Sequence, residues 1–126
     1  MPIRFRYDYQ LEVLFTTAEG RLSFTEIQSH LDEESAAKAL GYRELVDATT
    51  ASTDLTSEQT KGLARRLETM IRSGPFGPTA IVTTNDVTFG LARMLSIFCE
   101  LFSGPQLGVF RSFDEGLQWL LHTSPV

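Results

Sequence analysis

The sequence has a single cysteine, Cys99, so no disulfide can close within the chain, and a reducing compartment is the expectation. It is short of positive charge: eleven Lys and Arg stand against sixteen Asp and Glu, for a net charge of -5. Phosphate recognition rests on Lys and Arg, so nucleic acid and anionic membranes are not expected as partners. The densest basic group, Arg65, Arg66 and Arg72, falls on one helix face and reads as a solvated surface. Long apolar runs are missing too. The most apolar stretch, residues 87–102, contains Arg93 and Glu100. It is also shorter than the ~20 residues a bilayer-spanning helix needs. The opening MPIRFRYDYQ alternates charge with aromatics and has no apolar signal-peptide core. The expectation is a cytoplasmic protein without membrane insertion. With no repeat, linker or low-complexity tract, residues 1–126 read as one domain.

Catalytic and metal signatures are absent as well. No H-x-x-x-H, C-x-x-C or H-E-x-x-H spacing occurs, and no phosphate-cradling G-x-x-x-x-G-K-[ST] or G-x-G-x-x-G loop. His30 and His122 stand in different helices and read as packing or surface residues. Cys99 lies deep in a helix, with no helix N-terminus to activate its thiol. No catalytic residue, metal or cofactor is expected, and the chain does not read as an enzyme.

What is present is regular. Ile3, Phe5 and Tyr7 alternate with Arg4, Arg6 and Asp8, and Leu11, Val13 and Phe15 continue the period of two. Together they predict a hairpin that ends at Glu19-Gly20. Ser23 and Glu26 form a capping box, with Leu22 and Ile27 spaced as a hydrophobic staple. The helix that follows is expected to be interrupted at Asp32-Glu33-Glu34 and resumed to Leu40. A buried strand over residues 42–48 and a polar loop over residues 49–54 come next. Thr56 and Gln59 cap a helix with Leu63, Leu67, Met70 and Ile71 on its apolar face. Residues 80–84 read as a central strand, and Asn85 or Asp86 caps a third, broadly apolar helix. Residues 107–110 form a last strand, and Ser112 with Glu115 opens a last helix. The order ββαβαβαβα predicts an α/β fold: a five-stranded, mostly parallel mixed sheet, antiparallel at its first strand, with helices on both faces.

The opening hairpin, the strand Glu44-Leu45-Val46-Asp47 before a Thr/Ser-rich segment, and the ending Val109-Phe110-Arg111-Ser112-Phe113-Asp114-Glu115-Gly116-Leu117-Gln118-Trp119-Leu120 resemble the STAS domain family of sulfate transporters and anti-sigma-factor antagonists. A looser likeness runs to CRAL-TRIO lipid-binding domains. The STAS resemblance implies a non-catalytic regulatory domain acting through a protein partner. In signalling members an Asp-Ser-Ser-Gly run carries the phosphorylated serine. This sequence lacks it, and Thr56 and Ser57 stand nearest the equivalent helix start.

Open α/β sheets bind ligands beyond the carboxyl ends of their parallel strands. That rule selects Asp47, Thr49, Thr50, Ser52, Asn85, Asp86 and Arg111 as candidate ligand- or partner-binding residues. Arg93 joins them because it, or Arg111, would pair with Asp47. A small apolar or anionic ligand is the alternative to a protein partner. Phe89, Ile97 and Phe98 spread too widely around the third helix to face one sheet, and the first strand offers an open edge, which together predict a homodimer through part of the third helix or the first strand.

Overall fold

The computed structural model describes residues 3–36, 41–74, 76–103 and 107–123. Its elements are β1 (Ile3–Asp8), β2 (Val13–Leu22), α1 (Phe24–Ala36), β3 (Arg43–Thr53), α2 (Ser57–Ser73), β4 (Thr79–Val82), α3 (Asp86–Ser103), β5 (Leu107–Phe110) and α4 (Phe113–Leu121). The five strands lie side by side in chain order. β1 runs antiparallel to β2, and every later pairing is parallel. This is the mixed sheet the residue pattern predicts.

Local chemistry explains the joints. Asp8 Oδ1 accepts the backbone N–H groups of Gln10 and Leu11, both at 2.9 Å, and so turns the hairpin. Ser23 and Glu26 bond reciprocally at 2.9 and 3.1 Å, and so do Thr56 and Gln59. Asn85 Oδ1 takes the Thr88 N–H at 2.9 Å and is therefore the cap of α3, rather than Asp86.

Three expectations need correcting. β2 does not stop at Glu19-Gly20. It passes through a register shift between Thr17 and Glu19, with Gly20 at φ +76, and continues to Leu22. Only glycine takes that φ without steric cost. The polar segment after Asp47 is not a loop: Thr50 to Thr53 pair with Glu19 to Leu22 and extend β3. Finally, α1 runs unbroken through Asp32-Glu33-Glu34 to Ala36. Of the second helical piece expected up to Leu40, residues 35 and 36 belong to α1 and residues 37–40 lie outside the described residues, as does the Gly104-Pro105 stop after α3.

The sheet carries two unlike faces. On one, Leu45, Ala80 and Val82 pack with Val13 and Leu120 in a tight layer completed by Phe15, Phe110 and Trp119. Gly116 lets α4 sit close: a Cβ there would lie 2.8 Å from Val82 Cγ2. The other face is covered by α1, α2 and α3, whose apolar residues Ile27, Leu31, Leu63, Leu67 and Leu95 converge above the strands. Among the described residues, no helix is long and apolar enough to cross a membrane.

Candidate functional site

The three-helix face does not close completely on the sheet. Between them lies a partly open cavity of about 180 Å³. The reason is side-chain size: where the helices would need bulk beneath them, the lining is Thr16, Ala18 and Ala48 from the strands, with Thr60, Thr88 and Ala92 from the helices. Leu22, Ile27, Leu63, Leu91 and Leu95 supply the apolar wall.

A cluster of ionisable groups lies in that wall. His30 and Glu34, one helical turn apart, share the inward face of α1. Glu44, second residue of β3, meets them from the sheet. The His30 Nε2 contacts Glu34 Oε1 directly and lies 3.6 Å from Glu44 Oε2. The side chains of His30, Glu34 and Glu44 are 10%, 3% and 9% exposed. The Thr16 hydroxyl donates to Glu44 Oε2 at 2.5 Å. Phe5 packs edge-on against the imidazole, centroids 5.8 Å apart.

Burial alone would favour neutral imidazole at His30. Hydrogen bonding to Glu34 and Glu44 outweighs it and pushes the pKa up to about 9. Burial also drives Glu34 up, to about 7; contact with His30 opposes this and the charge of Glu44 adds to it. Among the described residues, no lysine or arginine lines the cavity. The cluster thus holds two carboxyl groups against a single imidazole.

Neither acid was singled out by the sequence reading. The run Asp32-Glu33-Glu34 looks like a solvated break, and His30 looks isolated. The signal was the H-x-x-x-E spacing of His30 and Glu34, which places both on one helix face.

The residues predicted from the carboxyl-end rule gather elsewhere and largely satisfy one another. Asp47 Oδ1 accepts the Thr49 N–H at 3.1 Å and its hydroxyl at 2.7 Å. Neither Arg93 nor Arg111 pairs with Asp47. Arg111 pairs with Asp86 at 2.6 Å, donates to Thr84 O at 3.3 Å and lies 4.1 Å over the Phe89 ring. Asp47 shares the sheet face of Leu45, under α4, whereas Arg93 is exposed on α3 across the sheet. Thr50 is exposed and Ser52 half-buried along β3. Thr56 is the α2 cap and Ser57 the exposed first residue of that helix. Cys99 is buried, and burial pushes its thiol up to about 11.

No protein-family model and no curated protein matches the chain. Among solved structures, it is similar to an uncharacterized protein of the DUF3478 family, with a SpoIIAA-like fold, from Shewanella loihica PV-4. The two share 19% identity with a TM-score of 0.58, over 94% of this chain and 91% of that one. At that identity the likeness concerns the fold. A sheet in chain order, antiparallel only at β1, with three helices on one face and one on the other, is accordingly a SpoIIAA-like, STAS-type fold.

Proposed function

We propose that this protein is a non-catalytic binding domain that takes up a small, largely apolar molecule between its three-helix layer and its sheet. The cavity carries this reading. By the cost measured for emptied protein cores, roughly 24 cal/mol per Å³, a closed space of 180 Å³ would cost about 4 kcal/mol, the upper bound for this partly open one. Domains of this kind have only about 5–15 kcal/mol of stability in total. A space that expensive is easier to understand as a binding site than as loose packing. Apolar cavities near 150 Å³ stay dry and accept benzene-sized guests, which sets the ligand's scale. Buried carboxyl groups in the wall favour a neutral guest over a fatty-acid-like anion.

The test uses toluene and naphthalene as probes in thermal unfolding. A saturable rise in Tm is expected, corresponding to about 2.7 kcal/mol at a hundredfold excess over Kd. The same probes should leave the cavity-filling variant Ala48→Leu unmoved. No shift with either probe, or an equal shift in the variant, rejects the reading.

A second reading, contact with a protein partner, is favoured by α3. Val87, Met94, Ile97 and Leu101 are exposed along one side of that helix. The homodimer expected from the sequence would use this stripe. Sedimentation equilibrium of the parent chain and Ile97→Lys decides it. A dimer that the substitution dissociates supports the reading, and a 14.1 kDa species throughout rejects it.

A further inference from the structure

We propose that His30, Glu34 and Glu44 bind one divalent first-row transition-metal ion. The proposal does not depend on the apolar-ligand reading, since the three side chains are in place whatever fills the cavity.

Geometry is the first argument. One nitrogen of His30 and one carboxyl oxygen from each glutamate lie within 4.8 Å of one another. The 3.6 Å between His30 Nε2 and Glu44 Oε2 is close to the spacing of two ligands that each stand about 2 Å from a shared tetrahedral ion, whereas Nε2 and Glu34 Oε1 are in direct contact and an ion would part them. The two elements that supply the ligands, α1 and β3, are fixed by unrelated contacts. The α1 start is held by the Ser23–Glu26 box, and β3 is hydrogen-bonded between β2 and β4.

Charge is the second. Buried ionisable groups are paired, or they coordinate metals. Two carboxyl groups and one imidazole leave an acid in excess, and among the described lining residues no lysine or arginine offsets it. The cluster must take up a proton or a cation. A divalent ion with a neutral imidazole and two carboxylates is charge-balanced.

The imidazole supplies a third, independent observation. It is nine-tenths buried, with Nε2 turned to the two carboxylates and Nδ1 without a hydrogen-bond partner among the described residues. A doubly protonated ring needs an acceptor at each nitrogen, and Nδ1 has none. Coordination through Nε2 would replace the proton that faces the two carboxylates, while Nδ1 keeps its own. Thr16 meanwhile does for Glu44 what outer-shell donors do around metals: its hydroxyl fixes the carboxylate that would ligate. The donor set is nitrogen and oxygen, which suits Zn²⁺, Co²⁺ or Mn²⁺ and not a thiophilic ion. Three protein ligands leave a coordination position open.

The experiment is a titration of chelator-stripped protein with Co²⁺, followed by visible absorption, and with Zn²⁺ in competition. Saturation at a single equivalent, with Zn²⁺ displacing Co²⁺, is expected. Glu34→Gln and Glu44→Gln should each weaken binding about tenfold or more, and Thr16→Val about tenfold, the usual range for an outer-shell loss. Asp86→Asn, at the distant Arg111 pair, should bind as the parent does. Circular dichroism of the stripped variants shows which are folded. Should the substituted chains not fold, the parent protein decides alone: Zn²⁺ must raise its Tm and a chelator must reverse the rise. Absence of saturable uptake, uptake unchanged by Glu34→Gln and Glu44→Gln, or no reversible Tm rise overturns the proposal.

Discussion

Cys99 is 2% exposed on α3, and burial holds its thiol near pKa 11. At pH 8 the thiolate, the species that reacts, is then about one part in a thousand. Labelling by a thiol reagent should be slow in native protein and fast in denaturant; comparable rates in both would mean that α3 is not packed as described. Cys99 was legible because its neighbours Ile97 and Phe98 are apolar and it stands deep in a helix, far from the helix start. His30 and Glu34 were not. A carboxylate inside an acidic run looks solvated, and only the direction of the helix face decides which of Asp32, Glu33 and Glu34 turns inward. The face was readable from Ile27 and Leu31, which lie three residues before His30 and Glu34 respectively. Burial of an acid there would have contradicted the ordinary preference of glutamate for water. The cluster is therefore a place where the local rule fails, and such failures concentrate at functional sites.

At the scale of elements, the helix starts were the most legible features, because a cap is a short-range bond between residues three apart. Their geometry now ranks them. Ser23 and Thr56 each sit in a reciprocal pair of bonds at 2.9 and 3.1 Å. Ser112 accepts from the Glu115 N–H at 3.4 Å only. Ser23→Ala and Thr56→Ala should each cost about 1 kcal/mol, and Ser112→Ala distinctly less. Denaturant midpoints measure this; equal losses at all three sites would show that the bond lengths do not control the cap energies. Strand ends were read less well, and for a definite reason. Thr49, Thr50, Ser52 and Thr53 have the polarity of a loop but, in the threonines, the β-branching of a strand. Pairing with the far end of β2 decides the matter, and that pairing joins residues about thirty positions apart. No short window of sequence contains it.

The cavity belongs to the whole molecule. No single segment encodes it: Thr16, Ala18, Ala48, Thr60, Thr88 and Ala92 come from β2, β3, α2 and α3, and each alone is an ordinary buried small residue. The two faces of the sheet provide the sharpest test of it. Ala48 and Ala80 are both buried strand alanines, in β3 and β4. Ala48 borders the open space, whereas Ala80 lies in the layer beneath α4, 3.7 Å from where a Cβ on Gly116 would stand. The same chemical change should therefore have opposite signs. Ala48→Leu places three carbons where atoms are missing and should stabilise by about 1 kcal/mol, the scale of newly buried apolar surface less its strain and ordering cost. Ala80→Leu forces the same carbons into filled volume and should cost about 1–3 kcal/mol. Urea unfolding of both variants with unchanged m-values would report the difference cleanly. If both substitutions destabilise alike, the space above β3 is not available to a side chain, and the case for a guest molecule there fails with it.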